Sequence, residues 1–98
     1  MVRMMRPVHP GEILREDVIP ALGKSKVEIA KLLGMSRQSL YDVLDCRQSV
    51  TPLMALRFGK LTGTTAESWA RMQMNYDLQI TAKAHAEQLD AMPTLEAA

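Results

Sequence analysis

Arg37, Gln38, Tyr41 and Asp42 lie within one short stretch, SRQSLYDVL, and none of them belongs to its apolar repeat. Leu40, Val43 and Leu44 recur at helical spacing and define a buried side. At 100° per residue, Gln38, Asp42 and Asp45 then point away from that side, with Ser39 and Tyr41 on its flanks and Arg37 at the first turn. The chemistry open to these residue types is hydrogen bonding to base edges. Arg37 can pair bidentately with guanine O6 and N7, Gln38 with adenine N6 and N7, and Asp42 can accept from cytosine N4, each good pair discriminating by roughly 1–3 kcal/mol. Ser25, Lys26, Ser36, Ser39, Tyr41, Arg47 and Gln48 are placed for phosphate and flanking contacts, where helix N-termini also favour negative charge. Catalysis is the least supported class, because no nucleophile with its base, carboxylate pair or phosphate-binding loop is recognisable. His9 and His85 stand far apart and no Cys-x-x-Cys pair occurs, so neither a metal nor a cofactor is expected.

Five helices are expected to position these groups, which makes the chain all-α. Pro10 suits a first helical position, and Glu12, Glu16 and Asp17 favour the early turns of helix one, which ends near Pro20 and Gly23. Ser25 with Glu28 reads as a capping box opening helix two, with Val27, Ile29, Ala30, Leu32 and Leu33 apolar and Gly34 as its left-handed stop. Ser36 caps helix three. Thr51-Pro52 opens helix four, where Leu53, Leu56 and Leu61 supply apolar contacts before Gly63. Thr64 with Glu67 repeats the capping box and opens a long fifth helix limited by Pro93, in which Trp69, Met72, Tyr76 and Ile80 recur at three and four. Two short helices joined at a tight glycine turn, the second presenting hydrogen-bonding groups near its start, form the pattern of a helix-turn-helix reader.

The totals agree with one small helical domain. Ninety-eight residues support a single core, and with aromatics at only 4% that core is built from Leu, Ile, Val, Ala and Met. Cys46 is the lone cysteine, so an internal disulfide is excluded and a reducing compartment is expected. No apolar run reaches the roughly 18 residues of a membrane span, and a soluble, cytoplasmic protein is expected. The net charge of +1 hides an asymmetry: residues 1–23 sum to zero, 24–60 to +4 and the remainder to −3. The basic middle is the part that holds the paired short helices.

Three stretches are more distinctive than the turn itself: HPGEILRE ahead of the paired helices, Val50-Thr51 before helix four, and W-x-x-M-Q-x-x-Y-D-L from Trp69 to Leu78. With them, residues 6 to about 81 resemble the HigA antitoxins, the VapI-like branch of the Xre/Cro helix-turn-helix family. The resemblance implies a compact five-helix lambda-repressor-like domain over 9–81, with an N-terminal arm at 1–8 and an extended C-terminal helix and tail at 82–98. It also implies a homodimer, with Trp69, Met72, Tyr76 and Ile80 as interface candidates, that binds double-stranded operator DNA at its own promoter. The implied second partner is a HigB-like toxin, a ribonuclease of the RelE type. Many relatives carry Asn-Gly-Lys after helix three where this chain has Asp45-Cys46-Arg47, so here the helix must end without glycine. Two rival readings keep the fold: a solitary Xre or phage-type repressor, and a protein-interaction module that binds a toxin without reading DNA.

Overall fold

The structure is a computed structural model that describes residues 6–96, so residues 1–5 of the expected arm and the last two of the tail lie outside it. Among the described residues every regular element is helical. The first helix, α1, covers residues 10–22 as three continuous segments, Pro10–Ile13, Leu14–Val18 and Ile19–Leu22, the middle one a π-turn. Pro20 explains the π-turn: it has no N–H for the carbonyl four residues back and its ring crowds that carbonyl. The wider turn, in which Ile19 N–H reaches the Leu14 carbonyl, opens the room. Then follow α2 (Lys26–Leu33), α3 (Arg37–Leu44), α4 (Pro52–Thr62), α5 (Ala66–Ala84) and α6 (Ala86–Ala91).

The helix starts obey local chemistry, with two corrections. Ser25 Oγ accepts from Glu28 N–H at 3.1 Å as expected, but the Glu28 carboxylate turns to Lys24 at 3.7 Å instead of closing a box. For α5 the cap is Thr65, not Thr64: its Oγ1 accepts from Ser68 N–H at 3.2 Å. Thr64 is occupied elsewhere, since its Oγ1 accepts from the indole N–H of Trp69 at 2.8 Å, and a buried indole needs such a partner. The expected fifth helix is two, because His85 leaves helical dihedrals at φ −117°, ψ 24°. Every side chain from Leu78 to Glu96 is exposed, so no packing holds that stretch straight.

Leu14, Ile19, Ile29, Ala30, Leu33, Leu40, Val43, Leu44, Val50, Ala55, Phe58 and Trp69 make the core. Val27, Leu32, Leu53 and Leu56, expected to point inward, are about half exposed. The inner seam of α4 instead runs through Ala55, Phe58 and Gly59, where Phe58 meets Trp69 at 6.0 Å between ring centroids. The body is about as wide as it is deep, and the end of α5 with α6 draws the molecule out to 52 × 28 × 27 Å.

Candidate nucleic-acid interface

Helix α3 is fixed from behind more thoroughly than from its ends. Ser36 Oγ accepts from Ser39 N–H at 3.0 Å at its start, and Leu40, Val43 and Leu44 are sealed in the core. The start of α1 presses directly on its backbone: a Cβ on Gly11 would stand 1.8 Å from the Val43 carbonyl oxygen, so only glycine permits this approach. Arg15 donates from Nη1 to the Leu44 carbonyl at 2.9 Å, closing one of the carbonyls that a helix end leaves open. Ala30 is buried where α2 meets α3, and Gly34 takes φ 71° in the turn between them. Arg57 of α4 holds that turn by donating to the Gly34 carbonyl at 3.1 Å.

The HPGE stretch of α1 supports the same face. His9 is only 4% exposed; its Nδ1 accepts from Gly11 N–H at 2.9 Å, which caps the helix ahead of Pro10. That bond requires an unprotonated Nδ1. Burial lowers the His9 pKa, and the charge of Asp77 and the Gln48 backbone oppose the shift. Glu12 pairs with Arg6, whose hydrogen bond lowers the carboxyl pKa. Behind His9, the Tyr76 ring stands edge-on at 5.0 Å. Gln73 is 5% exposed although it is polar; its Oε1 accepts from Val50 N–H at 2.7 Å and its Nε2 donates to Asp77 at 3.0 Å. Gln73 and Tyr76 thus tie the first half of α5 to the loop after α3 and to the cap of α1, while Trp69 meets Phe58 of α4.

The outward side carries the expected readers. Arg37 and Gln38 are exposed, and Tyr41 and Asp42 are half-buried. One surface depression is bordered by Ser36, Arg37, Gln38 and Tyr41, and the adjoining one by Arg15, Lys26, Gln38, Tyr41, Leu44, Asp45 and Arg47. Lys26, Ser36, Tyr41 and Arg47 are therefore brought together around Gln38, and Arg15 joins them although no pattern in α1 announced it. Ser25, Ser39 and Gln48 lie outside both linings; the Ser25 hydroxyl is used as a cap. Asp42 differs from expectation in one respect: its Oδ1 already accepts from Gln38 Nε2 at 2.8 Å and from Arg47 Nη2 at 3.1 Å. Without a glycine, the exit of α3 uses Cys46 at φ 62°, the only positive-φ residue other than glycine among the described residues. Burial raises the pKa of its half-buried thiol, the direction opposite to an activated cysteine.

No family model matches the chain. Virulence-associated protein I of Dichelobacter nodosus is 37% identical over 76 residues, which are 78% of this chain and 70% of that protein. Among solved structures, an addiction module antidote protein of the HigA family from Coxiella burnetii is 34% identical and superimposes with a TM-score of 0.85 over 94% of this chain and 100% of its own. This chain belongs to the HigA family of helix-turn-helix antitoxins. Pseudomonas aeruginosa antitoxin HigA, solved with the higBA promoter, gives a TM-score of 0.87 at 29% identity over 93% of this chain and 100% of its own. Within this HigA-family fold the four dimer candidates separate. Trp69, at 3% exposure, is a core residue whose ring meets Phe58 where α4 and α5 cross. Met72 packs against the core and Tyr76 against His9, while Ile80 is 42% exposed. Met74 and Leu78, one turn apart, are exposed on a different face of α5. Among the described residues no helix is long and apolar enough to cross a membrane, and no cluster of metal-binding side chains occurs.

Proposed function

We propose that the protein is a cytoplasmic autorepressor that binds the operator of its own promoter as a two-fold dimer and neutralises a HigB-like ribonuclease of the RelE type. The observation that carries the DNA half is the outward face of α3, where Arg37 and Gln38 are exposed while the opposite face is locked on Gly11, Arg15 and the core. Placed in a major groove, Arg37 reads guanine and Gln38 reads adenine. Lys26, Arg47 and Arg15 meet the phosphates alongside, and the backbone N–H groups at the start of α3 add a partial positive charge. Two copies place their α3 helices about one DNA turn apart, roughly 34 Å. The exposed part of α5 is assigned to the second copy, with Ile80 the exposed member of the stripe that starts at Trp69. The promoter complex of the Pseudomonas aeruginosa relative supports the operator reading, and membership of an antitoxin family supports the toxin.

The test is binding of the purified protein to a labelled fragment of its own upstream DNA against a scrambled control, at two salt concentrations. Selective binding that weakens steeply with salt is expected, because each phosphate neutralised by Lys or Arg releases a counterion. Equal binding to both fragments would remove the operator reading and leave a toxin-binding module. Co-expression with the product of the adjoining gene tests the toxin half: a complex that restores growth is expected, and a freely toxic product would contradict it.

A further inference from the structure

Two acids on a face that meets DNA need an explanation, because a free carboxylate there repels phosphate. Asp42 and Asp45 are not free. Arg47 Nη2 lies 3.1 Å from Asp42 Oδ1 and 3.3 Å from Asp45 Oδ2, so one guanidinium bridges both. The backbone brings it there: the left-handed turn at Cys46 folds the chain back, and Arg47 N–H donates to the Asp42 carbonyl at 2.8 Å. The same Asp42 Oδ1 accepts from Gln38 Nε2 at 2.8 Å, one helical turn away. Arg47, Asp42 and Gln38 therefore form a continuous chain of hydrogen bonds along the outer edge of α3.

An ionised carboxylate only accepts, so it dictates which end of the Gln38 amide faces it. A reversed amide would set Oε1 against Oδ1. When the Nε2 proton anti to Oε1 is the one given to Asp42, the syn proton and Oε1 remain, side by side. That pair is the one by which glutamine reads adenine, with Oε1 accepting from N6 and Nε2 donating to N7. We infer that Asp42 is a positioning residue that fixes the Gln38 amide in its adenine-reading orientation, with Arg47 holding Asp42 in place, and that Asp42 does not itself read cytosine. The inference rests on α3 being the recognition helix, and it revises the role the sequence suggested for Asp42.

The experiment measures Kd of the full-length protein for a fragment of its own upstream DNA in which each base pair is changed in turn. Wild type is compared with Gln38→Ala, Asp42→Ala, Asp42→Asn and the Gln38→Ala/Asp42→Ala double variant. Gln38→Ala is expected to lose roughly 5- to 150-fold of preference at one A·T pair. Asp42→Ala is expected to lose preference at that same pair, and the double variant to lose no more than Gln38→Ala alone, as coupled residues do. Asp42→Asn keeps an acceptor oxygen and is expected to retain most of the preference. Loss at a C·G pair instead, additive losses in the double variant, or no change at the Gln38 pair would each overturn the inference while leaving α3 as the reader. A wild-type protein with no selectivity at any pair would overturn both.

Discussion

The two faces of α3 share one backbone and are held by opposite means. Inward, Leu40, Val43 and Leu44 have no freedom: they are sealed in the core, the Val43 carbonyl touches α1 at Gly11, and Arg15 closes the Leu44 carbonyl. Outward, Arg37 makes no hydrogen bond or ion pair with its side chain among the described residues, and Gln38 is tied only to its own helix and not to the body. The difference separates the fold from the reading. Changes behind α3 should cost stability and take binding with them, whereas changes in front should cost binding alone.

The largest expected effect comes from behind. Gly11→Ala forces a Cβ into the Val43 carbonyl; it should cost about 3 kcal/mol or more, as overpacking does at its upper end, and lower Tm by roughly 10–20 °C for a domain of this size. A thermal melt showing wild-type Tm would mean that α1 moves away without cost, and the inner face would not be as fixed as described. Next is Gln73→Ala, which leaves the Val50 N–H without its acceptor. A buried donor left unpaired costs about 1–3 kcal/mol, and chemical denaturation measures it.

Acid should loosen the same side. The folded-state pKa of His9 is lowered by burial, so the unfolded chain binds the proton more readily. The stability that the neutral imidazole contributes is fully present above the unfolded value of about 6.5 and is lost as pH falls from there through the folded value. Melts between pH 8 and pH 5 should show Tm falling at the acid end, with a shallower slope for His9→Asn, whose amide oxygen can still cap the helix. An identical slope in the variant would assign the acid sensitivity to other groups.

Much of this division was legible in the residues. The period of Leu40, Val43 and Leu44 gave the inner face, Ser36 gave the start of α3, and Gly34 gave the turn, because each follows from local geometry that neighbours do not alter. What braces the helix was not legible. Gln73 looks like any polar helix position until Val50 arrives with a buried N–H, and Arg15 like any surface charge until the end of α3 lies beneath it. Leu53 and Leu56 failed for the same reason: apolar spacing names a face, and only tertiary packing decides which face turns inward. The spacing places Trp69 on an apolar stripe but does not name its partner: Thr64 reads as a cap because both roles use the same hydroxyl.

The outer face should respond without a change in stability. Lys26→Ala should weaken binding to all sequences about equally and reduce the salt slope by about one counterion. A loss confined to one base pair would make Lys26 a reader.

The most direct measurement is the Arg37→Ala variant, with its Tm and its affinity for the upstream fragment and for scrambled DNA determined side by side. The predicted result is a stability within about 0.5 kcal/mol of wild type, together with a loss of about 1–3 kcal/mol on the upstream fragment, centred on one G·C pair, and little loss on scrambled DNA. An equal loss on both fragments, or a loss of Tm that accounts for the lost binding, would contradict the assignment of α3's outer face as the surface that reads DNA.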